Sequence, residues 1–160
     1  MPTKKLDRID RKILEEIQRN GDISNLELAE RVNLSPSPCS RRVKHLEEAG
    51  IIDRQVTLLD KEAVGLPLTV YIHVCLEKQK PNILDNFEQT IVRYDEVLEC
   101  ALITGSEADY ILKVLMPDMS YYERFLLKEL NQIDGVSSIR TSFVMRQILS
   151  RTELPLSHIR

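Results

Sequence analysis

Between Ser35 and His45 the chain spaces hydroxyls and cations as one face of a helix would. At about 100° per residue, Cys39, Val43 and Leu46 share one side, while Ser37, Arg41, Lys44, His45 and Glu48 point away from it, with Ser40 on the flank. That outer face has the chemistry of nucleic-acid contact: cations for phosphates and side-chain donors for base edges. Arg41 and Lys44 can do either job. Ser37 and Ser40 are short donors near the helix start, where the dipole and free N–H groups also favour a phosphate. Ser35 stands at the same end, and His45 reads equally as a phosphate contact or a solvated residue. Arg42 and, further on, Arg54 complete the candidate DNA-binding set. From Arg31 to Leu46 there are four basic residues (Arg31, Arg41, Arg42, Lys44) plus His45, and no carboxylate. A basic stripe is ordinarily a solvated face. Here a short preceding turn, a Pro-containing helix start and the missing acids together favour DNA.

A second constellation is the stretch Thr104-Gly-Ser-Glu-Ala-Asp109-Tyr110. A glycine turn between apolar strands can offer backbone N–H groups to a carboxylate, and Asp109 can pair with an ammonium group. Together they suit the backbone end of a free amino acid. The same residues also read as a polar hairpin turn in which Asp109 caps its own backbone. Other chemistries are not expected. The three histidines (His45, His73, His158) lack Cys or Glu partners at ligand spacing, so no metal site and no cofactor are anticipated. No glycine-rich phosphate loop or nucleophile elbow occurs, and no enzyme is expected.

Three helices position the first constellation. Leu6 to Gln18 carries Leu6, Ile9, Ile13, Leu14 and Ile17 at helical spacing, with Asn20-Gly21 expected to end it in a left-handed cap. Ser24-Asn-Leu-Glu27 reads as a capping box opening a short helix that Asn33 stops. In Leu34-Ser-Pro-Ser-Pro-Cys39 the prolines fit a first turn, with Ser35 or Ser37 as N-cap, and the third helix runs to about Glu48 before Ala49-Gly50. Ile51 to Leu59 suits a short hairpin. The whole is a winged helix-turn-helix pattern.

The second constellation sits in a different unit. Leu68 to Leu76 alternates as a strand, Pro81 opens a helix to about Tyr94, and strands follow at 97–103 and 110–116. A helix after Pro117 and a strand from Val136 to Met145 complete β-α-β-β-α-β, a ferredoxin-like order with both helices on one sheet face. The fold class is therefore α+β, with a DNA-binding domain over 1–60, a linker over 61–67 and a ferredoxin-like domain over 68–160. Strands 97–103 and 110–116 are apolar apart from Glu99 and Lys113, so the uncovered face is expected to be an apolar patch that packs on a second copy.

Charge supports this division. Residues 1–60 hold 11 basic and 11 acidic residues, and the rest hold 11 and 14, so the basic stripe lies in an otherwise neutral domain. The three scattered cysteines (Cys39, Cys75, Cys100) argue against a disulfide framework. No membrane span or secretory signal is visible, and a cytoplasmic location is expected.

Several passages resemble the Lrp/AsnC (feast/famine) family of transcription regulators. They are Leu6-Asp-Arg-Ile-Asp-Arg-Lys-Ile-Leu14, Leu34-Ser-Pro-Ser-Pro-Cys39, Arg42-Val-Lys-His-Leu-Glu47, Gly50-Ile-Ile52, Thr104-Gly105 with Asp109-Tyr-Ile-Leu-Lys113, Val114 to Met119 and Ser142-Phe-Val-Met145. The resemblance covers nearly the whole chain. It implies double-stranded DNA as partner, homodimers assembling to octamers or larger rings, and a small amino-acid effector, such as leucine or methionine, bound between subunits. Carried over by position, the effector would touch Thr104, Gly105, Ser106, Asp109 and Tyr110, with Ser142 and Phe143 on the last strand. The family's turn is Gly-x-x-Asp-Tyr, whereas three residues separate Gly105 from Asp109 here. The longer turn shifts the glycine amides relative to the carboxylate, so effector identity does not transfer. Two alternatives stand beside this reading: a DNA-organising protein of the same fold without an effector, and a decarboxylase of tetrapyrrole precursors sharing the architecture.

Overall fold

The computed structural model describes residues 6–105 and 107–159. The described residues form two units, one up to Leu58 together with the segment from Leu149 on, and the other from Leu59 to Ile148.

In the first unit, α1 (Arg8–Arg19) starts at Asp7, whose side chain accepts from the Ile9 and Asp10 amides while Asp10 accepts from the Asp7 amide. This is a reciprocal capping box. The expected left-handed cap at Gly21 does not form, since the positive-φ glycines are Gly50, Gly65, Gly105 and Gly135. Gly21 serves close approach instead: an added Cβ would lie 3.1 Å from Gln55 Nε2, which donates to the Gly21 carbonyl at 2.6 Å. Helix α2 (Asn25–Arg31) is capped by Ser24, which accepts from the Glu27 amide at 3.2 Å. Only this half of the expected box is seen, because the Glu27 carboxylate turns to Arg31 at 2.6 Å. Asn33 ends the helix at φ 58°, and α3 (Pro36–Glu48) closes at Gly50 with φ 67°.

Ile13, Leu14, Leu28, Ala29, Val32, Cys39 and Leu46 form this unit's core, and Leu156 packs against it from the C-terminal segment. Gln18 grips that segment from both sides of its amide, donating to the Leu154 carbonyl at 3.3 Å and accepting from the Leu154 N–H at 2.6 Å. Arg11 adds a bond to the Ile159 carbonyl. The segment from 149 on therefore belongs with the first unit and not, as expected, with the second. The stretch 61–67 is likewise no free linker. Asp60 Oδ1 accepts from the Glu62 and Ala63 amides, and Lys61 Nζ reaches Thr69 Oγ1 at 2.8 Å.

The expected hairpin over 51–59 is also corrected: residues 53–59 form no strand and lie exposed. The physical reason is local. Asp53-Arg-Gln-Val-Thr-Leu-Leu59 holds no Gly, Pro or Asn to reverse the chain.

In the second unit, β1 (Leu68–Leu76), α4 (Pro81–Ile91), β2 (Val97–Leu102), β3 (Tyr110–Met116), α5 (Met119–Lys128) and β4 (Val136–Phe143) follow one another. The sheet is antiparallel with order β2-β3-β1-β4. Val70, Ile72, Val74 and Leu76 with Tyr110, Leu112, Val114 and Met116 meet Phe87 and Ile91 of α4 and Tyr122 and Phe125 of α5 in one core. The opposite parity makes the face away from the helices: Tyr71, His73 and Cys75, with Thr69 buried beside Lys61, then Ile111, Lys113 and Leu115, with Glu99 and Ala101 paired to Lys113 and Ile111. This face is mixed rather than the apolar patch expected. Strand period two sends Val70, Ile72, Val74, Leu112 and Val114 to the helices and leaves a Glu99–Lys113 pair at 2.8 Å outside.

Candidate nucleic-acid interface and effector site

Helix α3 is held from beneath by Cys39 and Leu46, both fully buried. Burial also pushes the Cys39 thiol up, which suits a packed small hydrophobe. Asn25 Nδ2 donates to the Pro36 carbonyl at 2.9 Å and so ties the start of α2 to the start of α3. Ser37, Ser40, Arg41, Lys44 and His45 are exposed, as the spacing required. Ser35 is the N-cap by backbone but makes no side-chain cap bond. The helix start offers fewer N–H groups to a phosphate than expected. Pro36 and Pro38 have none, and the Cys39 amide bonds the Ser35 carbonyl at 3.2 Å, which leaves the Ser37 amide and hydroxyl as the donors there.

The basic stripe divides in two. Arg31 faces Glu16 at 2.8 Å and Glu27 at 2.6 Å, and those bonds raise its pKa. Arg42 Nη1 lies 2.8 Å from Asp7 Oδ2 and 2.7 Å from Asp10 Oδ1. Arg42, a candidate DNA contact by sequence, is therefore turned back onto α1. Arg41 stays exposed, and Lys44 has only a 3.8 Å approach to Glu48 with both side chains largely in solvent. Arg54 lies on the exposed segment after α3, 79% exposed and 3.8 Å from Asp53. The outward cations of α3 are thus Arg41 and Lys44. Sequence reasoning missed Asn25, Asp7 and Asp10. The pair of carboxylates three apart at a helix start was the available sign of a capping box.

At the second constellation, the Asp109 carbonyl accepts from the Ile103 amide at 2.8 Å and closes the turn. Thr104 and Gly105 are exposed, and Gly105 holds φ 81° with open space where a Cβ would be. Conformation, not crowding, requires glycine there. Ser106 lies outside the described residues. Asp109 is buried, and its carboxylate accepts from the Leu76 amide at 2.7 Å and from Gln79 Nε2 at 2.5 Å. It anchors the end of β1. Tyr110 is buried against Phe87, ring centroids 4.6 Å apart, and donates to Glu88 at 2.7 Å. Burial first, and Glu88 second, drive its hydroxyl pKa above the tyrosine range. Tyr110 is thus a core residue.

Ser142 pairs with Tyr71, four residues along β1 from Cys75, which donates to the Glu107 carbonyl in the turn. At about 3.3 Å per residue that is roughly 13 Å. Phe143 pairs with Val70 and points to the helix side, edge-on to Tyr122 at 5.1 Å. Within one chain, Ser142 and Phe143 do not converge on the turn. What reaches β4 from the turn is Glu107, 2.8 Å from Arg140 Nη1. Sequence reasoning missed Gln79, Glu107 and Arg140, which only strand register brings to the turn. No cluster of His, Cys, Asp or Glu able to hold a metal occurs among the described residues, and no helix there is long and apolar enough to cross a membrane.

Residues 69–154 match the family described as Lrp/AsnC ligand binding domain, and residues 6–53 match winged helix-turn-helix DNA-binding. The chain is 40% identical over 153 residues to the leucine-responsive regulatory protein of Escherichia coli K12, covering 96% of this chain and 93% of that one. The protein of the same name from Klebsiella pneumoniae is similar to the same extent. Among solved structures, a transcriptional regulator from Neisseria meningitidis in complex with L-Met superposes with a TM-score of 0.93 at 41% identity, over 97% of this chain and 99% of that one. An AsnC family transcriptional regulator from Agrobacterium tumefaciens gives 0.91 at 34% identity, over 97% and 100%.

Proposed function

Because this chain belongs to the Lrp/AsnC family of DNA-binding transcriptional regulators, we propose that it reads duplex DNA with the outer face of α3 and responds to an amino acid held at the 104–110 turn. Ser37, Ser40, Arg41, Lys44 and His45 face the groove in this reading, and Ser35 and Arg54 lie at its edges. The observation that carries it is the division of the basic stripe: Arg31 and Arg42 are tied inward, while Arg41 and Lys44 stand exposed over an anchored helix. The L-Met bound by the Neisseria regulator and the leucine in the names of the curated relatives support an amino acid as effector. Thr104 and Gly105 supply the exposed end of the site. A second copy completes it, because Ser142 and Phe143 of one chain do not reach the turn. Copies pair through the uncovered sheet face and assemble further, to an octamer, in the compartment that holds the genome.

One observation favours a second reading, a DNA-organising protein without effector: Asp109 and Tyr110 are both engaged inside the fold. A calorimetric screen of the twenty amino acids against the full chain separates the two. The sensing reading expects saturable heat with at least one amino acid and a change in duplex affinity when that amino acid is present. Silence across the screen would sink it. For the DNA face, Arg41→Ala or Lys44→Ala is expected to weaken duplex binding by about 1–3 kcal/mol if the residue reads a base edge. Unchanged affinity in both variants would show that α3 presents a different face.

A further inference from the structure

We infer that Arg42 is a positioning residue for DNA reading: it sets the roll of α3 by spanning the two carboxylates that cap α1, and it does not itself touch DNA. The inference rests on the outer face of α3 being the reading face.

All four oxygens of the two carboxylates are assigned. Asp7 Oδ1 takes the Ile9 and Asp10 amides, and Asp10 Oδ2 takes the Asp7 amide. The remaining oxygens, Asp7 Oδ2 and Asp10 Oδ1, both accept from Arg42 Nη1, at 2.8 and 2.7 Å. The start of α1 and the middle of α3 are therefore one hydrogen-bonded unit. Asp10 is 4% exposed, so the Asp7 amide and that guanidinium, rather than water, satisfy its carboxylate. Around α3, Arg42 lies three residues after Cys39 and four before Leu46, on the anchored side.

The apolar contacts of Cys39 and Leu46 hold the helix against the core but set its rotation only loosely, because hydrophobic burial is non-directional. Charge-assisted hydrogen bonds are directional. With side chains at a radius of roughly 5–6 Å, a roll of about 10° moves the tips of Arg41 and Lys44 by about 1 Å. Base-edge hydrogen bonds lose strength over that displacement, whereas phosphate attraction hardly changes. Loss of the Arg42 bridge should therefore remove sequence discrimination and spare general affinity.

The test uses the full chain and two duplexes: one selected by the wild type from a random-sequence library, and one with that sequence scrambled. Asp7→Asn is the central variant. Asn caps a helix as well as Asp does, so α1 keeps its start while the bridge loses one charge. Charge alone predicts tighter binding to both duplexes, since a negative group leaves the DNA-binding unit. Positioning predicts opposite signs: roughly tenfold weaker binding to the selected duplex and equal or tighter binding to the scrambled one. Arg42→Met supplies the salt test. A phosphate contact would reduce the slope of log K against log salt by about 0.9. A positioning residue leaves that slope at the wild-type value while the affinity ratio between the duplexes falls about tenfold. Thermal melts accompany both variants, and Asp7, with its half-exposed side chain, keeps the test usable if Arg42→Met does not fold. Tighter binding of Asp7→Asn to both duplexes, or a reduced slope for Arg42→Met, overturns the inference. Arg41→Ala and Lys44→Ala chains that both bind the selected duplex like wild type overturn the α3 reading beneath it, and that outcome is recognised separately.

Discussion

Arg41 and Arg42 are adjacent and chemically identical, yet one residue of helical rotation gives the first to solvent and the second to α1. The carboxylate Arg42 meets at Asp7 is held below its ordinary value, first by the Asp10 amide and then by Arg42 itself, with burial opposing both. A depressed folded-state value contributes stability above the unfolded value of 3.8 and loses it as pH falls through the folded value. The unfolding midpoint of wild type should therefore exceed that of Asp7→Asn at neutral pH. The gap should close only below about pH 4, and a gap constant down to pH 2 would contradict the assignment. In the second unit, Asp109→Ala strands the buried Leu76 N–H and is expected to cost about 1–3 kcal/mol in denaturant unfolding with no amino acid present. A wild-type midpoint would show that this carboxylate does not anchor β1.

Elements were legible where one periodicity ran uninterrupted. The bounds read for β1 and β3, 68–76 and 110–116, are those observed, because strict alternation leaves one register that buries Val70, Ile72, Val74, Leu112 and Val114 together. The segment 53–59 forms no hairpin because its apolar residues come without a reversing turn. Between elements, Gly135 shows how a single backbone position controls packing: at φ 92° an added Cβ would lie 2.5 Å from Ile83 Cγ2. Gly135→Ala combines strain with that clash and should lower stability by about 1–3 kcal/mol, read by thermal unfolding. The C-terminal segment behaves as part of the first unit. Leu156→Ala removes a side chain packed on its core and is expected to destabilise that unit specifically. Hydrogen exchange should speed up in α1 and leave the amides of β1 and β3 unaffected.

Across the molecule, the uncovered sheet face governs the proposed assembly. Its Glu99–Lys113 pair raises the lysine pKa and sits among Tyr71, Ile111 and Leu115. A face of that mixed character suits a partner that buries the apolar side chains and keeps the ion pair satisfied. Lys113→Glu sets two carboxylates opposite one another there. Sedimentation velocity is expected to shift toward smaller species. An unaltered distribution would move the interface elsewhere on the molecule.

Local chemistry by itself determined the helices, the strand order along the chain and the polar face of α3, because caps, prolines and apolar spacing act over a few residues. Tertiary structure alone decided which of two adjacent arginines faces outward, that Asp109 and Tyr110 are engaged inside the fold, and that the last residues join the first unit. Each of those outcomes depends on a partner far away in sequence: Asp7 for Arg42, Leu76 for Asp109, Glu88 for Tyr110 and Gln18 for Leu154. A side chain's own type and spacing do not reveal which distant group the fold will place beside it.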